Sequence, residues 1–141
     1  MELMSIKGHL DASPDKVWAV VSNFGNLAAW NPALKSSSAD GNGVGSIRTF
    51  VSSVSTVKER IVEIDPARKI IRYEIVSGST LKMRNALITM IVSPNASAGA
   101  TLHWQIDGEP DGVAADELKD QLTKRYLGRI EDLRNHLRES V

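Results

Sequence analysis

Arg48 and Glu59 are the two residues whose types and spacing most readily do chemistry in this 141-residue chain. They flank the dipeptide Ser52-Ser53 within a stretch of β-like sequence. A turn centred on Ser53-Val54 sets Phe50 against Val57, Arg48 against Glu59 and Ser46 against Ile61. Phe50, Val57 and Ile61 are apolar, so alternation makes this the inner face and places the two charges opposite each other on it. Opposite charges across strands attract, but burying both costs desolvation that good geometry only partly offsets. A charge pair kept inside an apolar sheet therefore points to a site. There Glu59 could serve as acid or base, Arg48 could hold it or polarise a carbonyl, and Tyr73 or Tyr126 could donate a proton. The alternative is structural: a one-residue slip of register, or a position at the wet end of the sheet, turns both outward.

Other chemistries find little support. Gly41, Gly43 and Gly45 imitate a phosphate loop, but a strand (Ser46-Ile47-Arg48-Thr49-Phe50-Val51) follows where a dinucleotide fingerprint needs a helix, so they read as a hairpin loop. His9, His103 and His136 are scattered without ligand spacing, so no metal is expected. There is no cysteine, which excludes disulfides, thiolate metal sites and Cys nucleophiles. No nucleophile elbow occurs. Asn95-Ala96-Ser97 matches a glycosylation acceptor, yet no secretion signal accompanies it. No cofactor is implied.

Lys and Arg number 17 and Asp and Glu 17, so the formal charge is zero. A neutral chain carries no basic footprint for nucleic acid and no polybasic membrane patch. No apolar run approaches the about 20 residues of a membrane helix. A cytoplasmic location is the expectation. Neutrality also tolerates self-association. Val62 and Ile64, read as exposed, leave room for a homodimer or a protein partner.

Several elements must position these residues. Leu3 to Asp11 reads as a strand. Ser13 caps a helix with Pro14 in its first turn and an apolar stripe of Val17, Trp18, Val20 and Val21. A second short helix or turn runs around Gly25 to Ala29 and ends before Asn31-Pro32. From Leu34 the signal is β. Strands at Gly45–Val51, after Ser53 to Asp65, Ile70–Val76, Met83–Val92 and Ala100–Asp107 are separated by short turns. Then Leu118, Leu122, Tyr126, Ile130, Leu133 and Leu137 recur at helical spacing, which is a long amphipathic helix. Consecutive strands with short connections imply an antiparallel meander, and only the C-terminal helix is long enough to cover its apolar face. A curved sheet wrapped on such a helix leaves a gap where a small ligand fits.

Alternation assigns Ala100, Leu102, Trp104 and Ile106 to the inner face of the last strand, with Ile71, Tyr73 and Ile75, and with Ala86, Ile88 and Met90, on those before it. Trp104 could be core or pocket wall. Leu118, Leu122 and Tyr126 fill a packed core, or line the cavity if the sheet bends away.

The order and identity of several short segments carry a resemblance. They are Ala12-Ser13-Pro14-Asp15-Lys16-Val17-Trp18, Phe24-Gly25-Asn26-Leu27-Ala28-Ala29-Trp30, Gly43-Val44-Gly45-Ser46-Ile47-Arg48, Glu59-Arg60-Ile61 with Ile64-Asp65, and Met83-Arg84-Asn85. From about Leu3 to Leu137 the chain resembles the START-related polyketide cyclase/dehydratase superfamily of helix-grip proteins, which includes the birch-pollen-allergen-like proteins and the plant abscisic-acid receptors. The resemblance implies an α+β helix-grip fold: a seven-stranded curved antiparallel sheet on a long C-terminal helix, with two short helices after the first strand. It also implies a deep cavity that binds lipids, polyketides or similar molecules, with cyclisation or dehydration in some members. Carried over by position, the ligand-binding residues are Asn31, Phe50, Val57, Glu59, Tyr73, Ala86, Ile88, Trp104, Leu118, Leu122 and Tyr126. Asn31 stands where the hormone receptors carry a ligand-binding lysine, Ala86 and Ile88 where they carry tyrosine and serine, and Ser52-Ser53-Val54-Ser55 replaces their gate sequence. These departures argue against abscisic acid and disfavour a carboxylate ligand, although Arg48 could receive one.

The expected function is therefore binding or transport of a small hydrophobic molecule in an internal cavity. An enzyme of the cyclase/dehydratase type using Glu59 and Arg48, and a co-chaperone-like interaction module, are the alternatives.

Overall fold

A computed structural model describes residues 1–139 of the chain. Its strands are β1 (Glu2–Leu10), β2 (Leu34–Ala39), β3 (Ile47–Ser52), β4 (Thr56–Asp65), β5 (Ile70–Ser77), β6 (Met83–Pro94) and β7 (Ala100–Pro110). Helix α1 (Pro14–Val21) and a short 3-10 helix (Phe24–Ala29) follow β1, and helix α2 (Ala115–Glu139) follows β7. The seven strands form one antiparallel sheet in the order β1-β7-β6-β5-β4-β3-β2. This is the meander the short turns imply, with β1 added beside β7.

Local chemistry explains the helices. Ser13 Oγ accepts from the Lys16 backbone N–H at 3.2 Å, and Pro14 occupies the first turn of α1, where its missing N–H costs nothing. In α2 the stripe Leu118, Leu122, Ile130, Leu133 and Leu137 is buried as its spacing requires. Gly8 sets how closely this helix approaches the sheet. A Cβ there would stand 2.6 Å from Ile130 Cγ2, so only glycine lets α2 sit down on β1 at that level.

The sheet bends at register shifts. Two lie in β4 (Lys58/Glu59 and Ile61/Glu63) and one in β6 (Arg84/Leu87), where Asn85 has φ 53°. Such irregularities kink a strand and re-aim its side chains. The shift after Ile61 changes one expectation: Val62 is exposed, but Ile64 packs partly buried against the core. The second residue of the supposed outward apolar pair is thus turned in by an extra residue that simple alternation cannot foresee.

The core runs between the concave face and the helices, and includes Leu3, Met4, Phe24, Ile61, Ile71, Ile88, Leu102, Ile106, Leu118, Leu122 and Leu133. Among the described residues no helix is long and apolar enough to cross a membrane.

Candidate functional site: a cavity around a buried Arg–Glu pair

The β3–β4 turn lies where the sequence puts it, and the register pairs Phe50 with Val57 and Arg48 with Glu59. Both charged residues face inward, at 6% and 5% exposure. Arg48 Nε donates to Glu59 Oε1 at 2.8 Å and Nη2 lies 2.7 Å from the same oxygen. Nη1 donates to the Phe24 carbonyl at 3.3 Å, which ties the pair to the 3-10 helix. The guanidinium carbon sits 4.2 Å from the Phe24 ring centroid, 4.6 Å from Tyr73 and 5.8 Å from Phe50. These aromatic faces supply some of the attraction that lost water no longer provides. The arginine is held on several sides, whereas the carboxylate is held through one oxygen.

Electrostatics follow from this geometry. Burial pushes the Glu59 carboxyl above its ordinary range, and the Arg48 charge opposes that only in part. Burial works against the Arg48 charge, but Glu59 and Tyr73 outweigh it, so the guanidinium stays charged. Burial also drives the Tyr73 and Tyr126 phenols upward, so both are neutral hydroxyls at physiological pH. Tyr73 reaches Met90 Sδ at 3.9 Å, a weak contact.

Beside the pair lies a cavity of about 340 Å³. Trp104 forms its far wall and packs edge-on against Tyr126 of α2, with ring centroids 4.8 Å apart. Trp30 follows at 6.3 Å. The Trp104 indole nitrogen is buried with no well-formed hydrogen bond, although it approaches Tyr73 closely enough to affect that phenol. The cavity opens where exposed residues enter its lining: Ser53 and Val54 of the β3–β4 turn, Thr80 of the β5–β6 loop, Ala33 before β2, and Arg125 of α2.

Of the residues named from sequence, the structure brings Asn31, Arg48, Phe50, Val57, Glu59, Tyr73, Trp104 and Tyr126 around this space. It does not bring Ala86, Ile88, Leu118 or Leu122 there. Those four are buried in close-packed core, Leu118, Leu122 and Ile88 completely, so they border neighbouring side chains instead of the opening. The sheet's part of the lining comes from β3, β4 and β5 with Leu34 of β2 and Trp104 of β7, whereas β6 contributes nothing. Asn31 is itself occupied: its Oδ1 accepts from Arg129 Nη1 and from the Ala33 N–H.

Sequence reasoning missed Leu27, Ile75, Leu81, Arg125 and Arg129, all of which line the cavity. A signal existed for the arginines. Steps of three and four residues from Leu122 reach 125 and 129, beside the Tyr126–Ile130 stripe. Among the described residues no group of His, Asp and Glu is placed to hold a metal ion.

Residues 3–138 match the family described as polyketide cyclase/dehydrase and lipid transport, and the chain belongs to that family. Solved structures share the fold. The protein XoxI from Bacillus cereus is 20% identical with a TM-score of 0.82, covering 93% of this chain and 92% of its own. An uncharacterised Bacillus thuringiensis protein is 20% identical with a TM-score of 0.83, covering 93% and 95%. The structure titled Ara h 8.0201 is 16% identical with a TM-score of 0.79, covering 96% of both chains. At such identities the likeness is one of fold, and that fold is the helix grip. No curated protein gives a significant match.

Proposed function

We propose that this chain binds one small, mainly hydrophobic molecule in the cavity between its curved sheet and α2, with the Arg48–Glu59 pair at the inner wall. The single observation that carries the reading is an opening of about 340 Å³ walled by Trp30, Trp104 and Tyr126 and bordered by a buried ion pair. Its wall sets these rings and aliphatic side chains beside serines, Asn31 and charged groups, which suits an amphipathic molecule, and sites for small molecules span about 300–1,000 Å³. The volume lies at the low end, which suits a single-chain or one- to two-ring molecule and leaves too little space for a two-chain lipid. The description of the family, which includes lipid transport, supports the same class of ligand. Thermal melting against a panel of single-chain and aromatic lipophiles tests it: a ligand at about 100 times its Kd adds about 2.7 kcal/mol to stability. A panel without a shift would count against the proposal.

One observation favours a second reading, a cyclase or dehydratase. Both Arg48 contacts fall on Oε1 of Glu59, and burial raises the carboxyl above its ordinary value against the opposing Arg48 charge. Glu59 would then exchange a proton with the ligand through Oε2, and Tyr73 would donate to a developing oxyanion. Turnover of an aromatic polyketide by wild type, lost in Glu59→Gln, is the expected result. Unchanged turnover in that variant removes Glu59 from the chemistry.

A further inference from the structure

The charges on the cavity wall do not balance. Three arginines line it, Arg48, Arg125 and Arg129, against one carboxylate, Glu59. Glu59 is taken up by Arg48. The remaining two cations stand one helical turn apart on α2, flanking Tyr126, where the apolar wall meets solvent. Arg125 joins none of the ion pairs found among the described residues. Arg129 is held by one end only: Nη1 contacts Asn31 Oδ1 and lies 3.2 Å from Asp132 Oδ2. Its Nε is buried and has no hydrogen-bond partner. That nitrogen is shut off from the cavity, so an anion reaches Arg129 through Nη2, for which no hydrogen bond is found among the described residues.

On the reading that this cavity binds a hydrophobic molecule, we infer that Arg125 and Arg129 form a carboxylate-binding rim, so that the ligand is an amphipathic organic acid. Its apolar body lies against Trp104 and Tyr126, and its acid group stays at the mouth between the two guanidinium groups. Asn31 and Asp132 fix the orientation of Arg129 through Nη1, which leaves Nη2 for the anion. Arg125, exposed at the mouth, covers the acid from the solvent side. The polarity runs opposite to one in which the acid is buried on Arg48, because Glu59 already occupies that guanidinium.

The test compares decanoate, its methyl ester and decylamine by isothermal titration at neutral pH. These probes share an alkyl body and differ in charge. Wild type should bind decanoate at least about tenfold tighter than the ester, and decylamine more weakly than either. Arg125→Gln and Arg129→Gln should each shrink the ratio of ester to decanoate Kd toward one, and Arg129→Lys should retain part of the preference. Arg125→Gln is the safer variant, because its side chain is exposed and makes no ion pair among the described residues. Equal binding of decanoate and ester by wild type overturns the rim and leaves the hydrophobic pocket standing. Loss of acid preference in Arg48→Met but not in the rim variants also overturns it, by moving the acid to the inner wall. If neither acid nor ester binds, the pocket itself is refuted and the rim with it.

Discussion

Arg48 and Glu59 face each other directly across β3 and β4, and two guanidinium nitrogens reach the same carboxylate oxygen at 2.8 and 2.7 Å. Three aromatic rings surround the arginine and a carbonyl of the 3-10 helix accepts from it. The pair therefore links the sheet to the helical segment that carries Trp30. Breaking a buried pair from one side strands the other charge, whereas replacing both with apolar groups does not. Glu59→Leu or Arg48→Met alone should cost about 3–5 kcal/mol in urea unfolding. The double variant should recover most of that loss. A double variant as unstable as the worse single one would show that the pair is not self-contained.

Glu59 also sets a pH dependence. Its folded carboxyl titrates above its ordinary value of 4.5, because burial favours the neutral form. The folded state then binds more protons than the unfolded state, so this group's contribution is fully present below 4.5 and is lost as pH rises through the folded value. Wild type minus Glu59→Gln, followed by chemical denaturation from about pH 4 to about pH 8, should fall with rising pH. A difference that grows with pH would mean that Arg48 outweighs burial.

The boundary between open and packed interior can be probed with one chemistry at two places. Ile75 lines the cavity, while Ile88 lies fully enclosed. Ile88→Phe should cost about 1–3 kcal/mol through overpacking. Ile75→Phe has empty space to enter and should cost less than about 1 kcal/mol while weakening ligand binding. Equal penalties in calorimetry would place both residues in the same kind of surroundings.

The β5–β6 loop depends on Gly78. Its φ is +86°, and a Cβ would fall 1.8 Å from the Thr56 carbonyl oxygen. Gly78→Ala should therefore lose about 1–3 kcal/mol from backbone strain alone, with more from the displaced strand end. Because Ser79, Thr80 and Leu81 border the cavity, ligand binding should weaken as well. A variant with unchanged melting temperature would show that the loop is free to rearrange.

Much of this architecture was readable from pattern alone. Period-two alternation in Ala100–Ile106 and period-3.6 recurrence from Leu118 to Leu137 report which faces are buried, and burial follows them. The Arg48–Glu59 pairing was legible because a short turn fixes the register on both sides of it. The cavity's extent was not, since it depends on bends. The shift after Ile61 turns Ile64 inward, and the one at Arg84/Leu87 needs a left-handed Asn85. Neither breaks the hydrophobic pattern. For that reason Ala86, Ile88, Leu118 and Leu122, inward-facing by pattern, proved to be packed core. Arg125 and Arg129 were passed over for a related reason. A cation beside an apolar stripe reads as the solvated flank of a helix until the opposing sheet is seen to curve away.

The three tryptophans allow the most direct measurement. Trp30 and Trp104 line the cavity, whereas Trp18 of α1 lies outside it. Titrating a binding lipophile into labelled protein and following the indole N–H signals by NMR should shift Trp30 and Trp104 and leave Trp18 in place. The Trp104 signal should move most, because its nitrogen is buried without a full hydrogen bond. Saturable binding that moves Trp18 while Trp30 and Trp104 stay fixed would put the ligand elsewhere and contradict the cavity as its site.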